Sequence, residues 1–275
     1  MMRQFFVYCM VAVLALACTP QDHLTILHTN DTHSQVEPKN NNTGGYARRM
    51  GLIRQERMAD RHLLLVDAGD FCQGTPYFNF YHGRVEIEAM NRMGYDVVAL
   101  GNHEFDNGLD TLAAVLQTAQ FPIVCANYDF SGTPLESIVR PYTILRKGGL
   151  RIGVFGLGCD PKGLIADKNF LPVRYLDPYP VAQAMADTLR AQRCDVVVCL
   201  SHMGTYGKAC EDVCDATLAA CTRGIDVIIG GHTHRLYDHL RVPNADGDSI
   251  PVCQAGKSGA YLGKIVLCLG DKIEK

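Results

Sequence analysis

The sequence predicts a layered α/β domain, and three observations support this prediction. Short apolar runs alternate along the chain with stretches whose hydrophobic residues recur at helical spacing. The runs are almost continuously apolar, as expected of strands buried on both faces of a mainly parallel sheet. At 275 residues, 47% of them hydrophobic and 20% charged, the chain is large enough for one sizeable core. We therefore expect a single domain.

Eight of the apolar runs are predicted to form strands. They occupy residues 24–27, 63–66, 96–100, 123–125, 151–157, 195–200, 226–230 and 264–269. Two of the intervening segments have the spacing of amphipathic helices, one over residues 109–116 and one that follows Pro178 and Pro180. The order of these elements is that of a chain that alternates between β and α structure.

The first residues have the form of an export signal. "MMRQ" carries one positive charge and precedes thirteen uncharged, mostly apolar residues, a run too short to span a bilayer. We therefore expect residues 1–17 to be a signal peptide. The ending "LALAC" resembles a bacterial lipoprotein signal, which implies lipidation of Cys18, and a plain signal peptide is the alternative. We expect an exported protein of the cell envelope or periplasm, held to the membrane by its lipid anchor only.

The net charge argues against one class of partner, and the cysteine pattern argues against a zinc knuckle. The net charge of −3 provides no basic surface, which argues against a nucleic-acid polymer as partner. Ten cysteines follow Cys18, and several lie inside apolar runs, where a buried thiol is the usual state. Cys210 and Cys214, in "CEDVC", lack the two-residue spacing of a zinc knuckle. We expect mostly buried free thiols.

Five polar clusters each begin where a predicted strand ends. They are "LHTNDTHS" (27–34), "DAGD" (67–70), "GNHEFD" (101–106), "LSHMG" (200–204) and "GGHTHRL" (230–236). Each cluster alone has an ordinary explanation, such as a turn, a helix cap or a hydrogen-bonded side chain. In open α/β sheets, however, loops at the carboxyl ends of strands converge on one edge, where ligands bind. We therefore expect these clusters to meet.

The clusters contain candidate ligands for a divalent metal site. The seven candidates are Asp31, His33, Asp70, Asn102, His202, His232 and His234. Imidazole, carboxylate and amide donors without a thiolate suit Zn²⁺, Mn²⁺ or Fe²⁺. Seven ligands are too many for one tetrahedral ion but suit two ions that share a bridging carboxylate. In the two pairs separated by one residue, an extended backbone would place both side chains on the same side.

The order of these motifs resembles the calcineurin-like metallophosphoesterases, and within them the 5′-nucleotidase/UDP-sugar hydrolase family. The resemblance continues through "GGYARR" (44–49) and "AGKSGAYLGKI" (255–265). It implies a four-layer αββα sandwich with two central mixed β-sheets over residues 18–275. It also implies two divalent ions, one held by Asp31, His33, Asp70 and His234. The other would be held by Asp70, Asn102, His202 and His232, so that Asp70 bridges the ions.

The same resemblance assigns catalysis to His103 and Asp106. His103 would reach the phosphate, where it would stabilise charge or protonate the leaving oxygen, and Asp106 would orient the imidazole. Asn107 with Asp110 makes a capping pair for the following helix, which leaves Asp106 free for this role. Glu104 is expected to be a solvated or loop-structuring acid without a catalytic role.

The implied function is hydrolysis of nucleotide phosphomonoesters, as in 5′-nucleotidases. A phosphodiesterase or a nucleotide-sugar pyrophosphatase is the alternative, because the motifs fix the metal chemistry better than the leaving group. A non-catalytic metal-binding lipoprotein is a second alternative, but it would have no need of His103 and Asp106.

Typical family members carry a C-terminal nucleotide-binding domain, which is expected to be absent from this chain. A separate partner chain would then supply that domain, or the enzyme would accept phosphate esters with little regard for the base. Arg48 and Arg49 are expected on a helix surface rather than on substrate.

Overall fold

The computed structural model describes residues 23–206 and 213–269, so the predicted signal peptide and Cys18 lie outside the described residues. Within those ranges the chain forms two mixed β-sheets that pack face to face, with helices on their outer faces. The predicted α/β fold with two central mixed sheets is confirmed.

The first sheet has six strands, β1 (His23–Thr29), β2 (Leu64–Asp67), β3 (Val97–Ala99), β4 (Ile123–Val124), β6 (Val139–Arg140) and β15 (Gly263–Cys268). Their order is β15-β1-β2-β3-β4-β6. All neighbours are parallel except β15, which pairs antiparallel with β1. Because β1, β2 and β3 are parallel neighbours, the loops that follow them leave the sheet at one edge.

The second sheet has seven strands, β7 (Tyr142–Lys147), β8 (Leu150–Leu157), β10 (Val196–Ser201), β11 (Val227–Ile229), β12 (Leu236–Tyr237), β13 (Arg241–Pro243) and β14 (Ser249–Ala255). Its order is β12-β14-β11-β10-β8-β7, with β13 paired to β14. The central strands β14, β11, β10 and β8 are parallel, and the outer strands run antiparallel. A separate antiparallel ribbon joins β5 (Tyr128–Asp129) to β9 (Arg174–Tyr175).

Seven α-helices and one 3₁₀ turn connect the described strands. They are α1 (Tyr46–Ala59), α2 (Pro76–Tyr81), α3 (Arg84–Met93), the 3₁₀ turn His103–Asn107, α4 (Gly108–Leu116), α5 (Asp167–Phe170), α6 (Pro178–Ala191) and α7 (Asp215–Cys221). None of the helices in the described ranges is long and apolar enough to cross a bilayer. The Asn107 cap prediction was wrong in detail, because Asn107 occupies the N-cap position of α4 without a side-chain hydrogen bond.

Three layers of apolar side chains hold the sandwich together. Between the sheets, Ile26 and Val66 of the first sheet belong to one cluster with Val198 of the second. A second cluster lies between the first sheet and helices α1, α3 and α4, and a third lies between the second sheet and α6 and α7. Because the inner strands of both sheets are covered on both faces, they are almost uniformly apolar.

Side-chain burial tests two further expectations from the sequence. Nine cysteines of the described ranges are free thiols, of which seven are buried and only Cys221 and Cys268 are exposed, as predicted. The expectation that Arg49 lies on a helix surface was wrong. Its side chain is buried beside the Tyr46 ring, whereas Arg48 is exposed.

Candidate metal centre

All seven candidate ligands meet at one edge of the sandwich. The loops after β1, β2 and β3 bring Asp31, His33, Asp70 and Asn102 from the first sheet, and the loops after β10 and β11 bring His202, His232 and His234 from the second. The sequence placed these loops at the carboxyl ends of strands, and the facing sheets bring the two sets together. The centre is therefore assembled half from each sheet.

The first group of donor atoms consists of Asp31, His33, Asp70 and His234. The Nε2 atoms of His33 and His234 lie 3.0 Å apart, and Asp31 Oδ1 lies 3.3 Å from His234 Nε2. One donor atom from each residue falls within 4.8 Å of the others. Donors that bind one zinc at about 2.0–2.2 Å are separated by no more than about 4.4 Å, so this group approaches the dimensions of a metal site.

The second group shares Asp70 with the first and adds His202 and His232. Asp70 Oδ2 lies 3.0 Å from His202 Nε2, and Asn102 Oδ1 lies 3.0 Å from His232 Nδ1. The division into two groups with Asp70 in common is the one that the family resemblance implied. The geometry thus brings the residues together, and their roles as ligands stay a prediction.

The backbone at the candidate ligands is unusual. Five of the seven have positive φ angles, namely Asp31 (48°), His33 (46°), Asp70 (57°), His232 (71°) and His234 (58°). Such left-handed conformations are uncommon for residues other than glycine and concentrate at functional sites. The expectation of an extended backbone in the two closely spaced pairs was therefore wrong. The paired side chains converge because both residues of each pair are left-handed.

His202 shows that the donor set fits a cation. Its Nδ1 lies 2.7 Å from the carbonyl oxygen of Ala68, which only accepts, so Nδ1 carries a proton. The buried Nε2 has no hydrogen-bond partner although Asp70 lies close. A lone pair there would face a carboxylate, and either a proton or a metal ion removes that repulsion. Burial acts to lower the pKa of His202, but the adjacent carboxylate of Asp70 raises it to about 10.

Two other histidines have lowered pKa values that favour the neutral imidazole. Burial lowers the pKa of His33 to about 4, against the opposing charges of Asp70 and Asp31. Burial likewise lowers the pKa of His232 to about 4. A metal ion competes with a proton for the imidazole lone pair, so histidines that are neutral at pH 7 bind metal without first losing a proton.

His103 and Asp106 form a hydrogen-bonded pair beside the ligands. His103 Nδ1 lies 2.9 Å from Asp106 Oδ2, and both side chains are about one-third exposed. The ring of His103 lies 5.4 Å from the ring of His33. The hydrogen bond to Asp106 raises the pKa of His103. His103 is thus an accessible imidazole with a raised pKa next to the metal ligands.

Glu104 holds two of the ligand loops together. It is buried, and its carboxylate accepts hydrogen bonds from the backbone N–H groups of Asp70, Cys72 and Gly101. Gly101 must be glycine, because a Cβ there would collide with the Asp70 carboxylate. Of the two expectations for Glu104, the loop-structuring role agrees with these contacts and the solvated one was wrong.

Two buried amides that the sequence did not single out hold the loops of the centre in place. Asn30, at the end of β1, donates to Asp31 Oδ2 (2.6 Å) and accepts from the N–H of Ala255 (2.7 Å). Gln254, at the end of β14, donates to the carbonyl of Gly231 (2.7 Å) and accepts from Thr233 Oγ1 (3.1 Å) and from the Arg235 backbone N–H. Gln254 thereby fixes the loop that carries His232 and His234. The one available signal was a polar residue that ends the run "SIPVC".

Comparison with known proteins places the chain in a family. Residues 24–236 match the model of the calcineurin-like phosphoesterases. The chain belongs to the calcineurin-like phosphoesterase family. Membership implies divalent metal ions, and the two groups of donor atoms sharing Asp70 are the candidate ligands for them.

Curated and solved relatives extend this assignment. Snake venom 5′-nucleotidase from Gloydius brevicauda is 35% identical over 90% of this chain and 46% of the relative. The crystal structure of the 5′-nucleotidase precursor from Thermus thermophilus is 33% identical, with a TM-score of 0.77 over 91% of this chain and 55% of that one. The calcineurin-like phosphoesterase YfkN from Bacillus subtilis is 27% identical, with a TM-score of 0.73 over 92% and 95% of the two chains. The chain spans about half the length of the 5′-nucleotidases that it matches.

For this calcineurin-like phosphoesterase, replacing Gln254 with methionine is expected to weaken metal binding about 10- to 100-fold. Removing a residue that orients metal ligands typically costs this much affinity. The backbone groups of Gly231 and Arg235 would lose their partners, so the loop with His232 and His234 would no longer be held. Affinity for Zn²⁺ is measured by competition with a chromophoric chelator.

Val252→Ala on the same strand is the matched control for Gln254→Met. Val252 is fully buried between sheet and helices, so its truncation lowers stability without touching the loop of Gly231–Arg235. We expect this control to bind Zn²⁺ with unchanged affinity. Equal Zn²⁺ affinities in the two variants would show that Gln254 has no specific part in holding the ligands.

Proposed function

We propose that this chain is a metal-dependent phosphomonoesterase that removes the 5′-phosphate of nucleotides. The proposal is carried by the two groups of donor atoms that share Asp70, with the His103–Asp106 pair beside them. Two divalent ions about 3.5–4 Å apart with a shared carboxylate are typical of hydrolytic sites that act on phosphate esters. The 5′-nucleotidases among the relatives support the choice of nucleotides as substrate.

The candidate ligands would hold two ions. Asp31, His33, Asp70 and His234 would bind the first, and Asp70, Asn102, His202 and His232 would bind the second. Their mixture of imidazole, carboxylate and amide donors suits Zn²⁺, Mn²⁺ or Fe²⁺. Bound divalent ions supply Lewis acidity, which favours ionisation of water and neutralises the negative charge that develops on the phosphoryl oxygens.

His103 would act on the leaving group. Its Nδ1 is engaged by Asp106, so Nε2 is the nitrogen that remains to meet the substrate. The raised pKa keeps a larger share of the imidazole protonated near neutral pH, which suits a donor of a proton to the departing oxygen. Asp106 would fix the ring orientation and stabilise the imidazolium.

A substrate panel tests this function. Purified protein supplied with Mn²⁺ or Zn²⁺ is assayed with AMP, UDP-glucose, a 2′,3′-cyclic nucleotide and bis(p-nitrophenyl) phosphate. We expect release of phosphate from AMP to be the fastest reaction, and addition of a strong chelator to abolish it. Protein with the Asp70→Asn substitution, purified identically, controls for contaminating phosphatases.

The pattern across the panel separates the alternatives. Faster cleavage of UDP-glucose would identify a nucleotide-sugar pyrophosphatase, and faster cleavage of the cyclic or bis-aryl diester would identify a phosphodiesterase, because the metal site fixes the chemistry at phosphorus but not the leaving group. Failure to cleave any of the four substrates would refute an independent phosphoesterase and leave a non-catalytic metal-binding protein.

We further propose a cellular location for the enzyme and a nucleotide-binding domain that acts with it. The apolar run that ends at Cys18 supports export to the cell envelope and attachment by a lipid. The 5′-nucleotidases that it matches are about twice as long as the matched region, which supports a nucleotide-binding domain outside the matched region that covers the edge of the metal site.

A further inference from the structure

The segments "GGYARR" and "AGKSGAYLGKI", which have no part in the ligand set, meet in the folded chain. A Cβ atom at Gly44 would lie 2.7 Å from the carbonyl oxygen of Ser258, and one at Gly259 would collide with the guanidinium of Arg49. Both glycines also have left-handed φ angles, 71° and 60°. The two glycines thus allow the segments to approach more closely than a side chain would permit.

The loop 255–259 holds the end of strand β1 in place. The backbone N–H of Ser258 donates to the carbonyl oxygen of Asp31 (2.6 Å), and the side-chain amide of Asn30 donates to the carbonyl oxygen of Gly256 (3.0 Å). Asp31 is a candidate ligand of the first group. Because the loop is bonded to the backbone of this ligand, a displacement of the loop would move the carboxylate that is expected to bind metal.

The side chain of Arg49 packs against the same loop from the interior. Arg49 is 5% exposed and is the only buried lysine or arginine among the residues that the structure describes. Its Cζ atom lies 5.1 Å from the centroid of the Tyr46 ring, within the range of a cation–π interaction. Its Nε and Nη2 atoms have no hydrogen-bond partner within the described ranges. These two nitrogens contribute charge and packing, and Nη2 is the atom that a Cβ at Gly259 would meet first.

Arg49 also balances buried acidic groups. Burial raises the pKa of Asp67 to about 7, and the charge of Arg49 opposes this rise. Burial raises the pKa of Tyr46, the charge of Glu86 adds to that rise, and the charge of Arg49 opposes it. Glu86 is itself fully buried on helix α3. Because buried charges without compensation are costly, these groups favour a fixed cation at the position of Arg49.

We propose that Arg49 is a positioning residue of the metal centre, which acts through the loop 255–259 on Asp31. The inference rests on the proposed metal-dependent function and extends it to a residue that touches neither metal nor substrate. Arg49 packs against Gly259, the adjacent Ser258 donates to the Asp31 carbonyl, and Asp31 supplies its carboxylate to the first group of ligands.

Arg49→Met tests the proposal through metal affinity. Methionine fills much of the same space but lacks the charge and the guanidinium that packs against the loop. We expect the affinity for Zn²⁺, measured by competition with a chromophoric chelator, to fall about tenfold, the lower end of the range for residues that orient metal ligands. Arg49→Lys keeps the charge and should bind Zn²⁺ more tightly than Arg49→Met. Arg48→Met, the same change at the exposed neighbour, is the matched control and should bind as the wild type does.

Ile53→Ala separates positioning from general stability. Ile53 is buried one turn further along helix α1, so its truncation lowers the melting temperature of the metal-free protein without touching the loop 255–259. We expect this variant to bind Zn²⁺ with the affinity of the wild type. A loss of Zn²⁺ affinity in Ile53→Ala as large as that in Arg49→Met would overturn the proposal, because destabilisation alone would then account for the effect.

Gly259→Ala tests the path from its other end and keeps the guanidinium in place. The added methyl group collides with Arg49 in the otherwise unchanged protein, so we expect Zn²⁺ affinity to fall about tenfold in this variant as well. In the double variant with Arg49→Met the colliding group is gone. The combined loss should therefore stay near tenfold, whereas two independent effects would multiply to about 100-fold. A loss of that full size would overturn the path through Gly259.

These measurements separate the inference from the proposed function. Equal Zn²⁺ affinities in the wild type, Arg49→Met and Gly259→Ala, with AMP still hydrolysed, would overturn the positioning role alone. Zn²⁺ binding that weakens in both variants, in a protein that cleaves no phosphate ester, would support the positioning role and contradict the proposed enzyme activity.

Discussion

Replacing Asp70 with asparagine is expected to abolish metal binding and activity together. Asp70 is the residue common to both groups of donor atoms, and its two carboxylate oxygens lie against His202 and the backbone N–H of His103. Asparagine keeps the size and tolerates the left-handed backbone at this position, but it removes the negative charge. Zn²⁺ affinity should fall by more than about 100-fold, beyond the loss seen for outer-sphere partners.

The measurement for Asp70→Asn combines metal content and turnover. Elemental analysis of dialysed protein gives the bound metal per chain, and phosphate release from AMP gives the activity. Asp110→Asn, at an exposed acid in the first turn of α4, is the matched control and should leave both quantities unchanged. Full metal content in Asp70→Asn would show that Asp70 does not bridge the ions.

Replacing His103 with alanine is expected to spare metal binding and to reduce kcat about 10²- to 10⁴-fold. This range is typical for removal of a general acid. His103 stands outside both groups of donor atoms, so the bound metal per chain should equal that of the wild type. His62→Ala, at another exposed histidine, controls for loss of an imidazole. Full activity of His103→Ala would refute its catalytic role.

The Asp106→Asn substitution tests the His103–Asp106 pair through the pH dependence of kcat. The hydrogen bond to Asp106 raises the pKa of His103, so the protonated acid is present below that pKa and is lost as pH rises through it. Weakening the bond lowers the pKa, and the alkaline limb of the kcat profile should move to lower pH. An alkaline limb that does not move would show that His103 is not the group that loses its proton there.

All eight strands expected from the sequence are present, with ends displaced by one or two residues at most. For seven of them, continuous apolarity follows from cover on both faces, whereas β15 is an edge strand whose alternate residues are exposed. Of the seven strands that the sequence did not predict, the two longest, β7 and β14, were missed for different reasons. Tyr142–Lys147 is an edge strand with partly exposed side chains, and Ser249–Ala255 begins with a serine and a proline that interrupt its apolar run.

The candidate ligands could be named from the sequence because each combines a recognisable residue type with a recognisable place in the chain. Each is a metal-binding residue type placed at the end of an apolar strand, and the motif order supplied the division into two groups. Residues that hold the ligands in place gave no such signal. Asn30, Glu104 and Gln254 act through hydrogen bonds to the backbone of distant loops, and only the folded chain shows which loops meet.

Assembly of the metal centre from both sheets ties cation occupancy to thermal denaturation. A cation bound there would contact residues of both sheets, so separation of the two sheets would require its release. Its binding would therefore raise the free energy of unfolding by about 2.7 kcal/mol when the free cation is at 100 times its dissociation constant. We therefore expect the melting temperature of this protein to rise with the concentration of the cation that it binds.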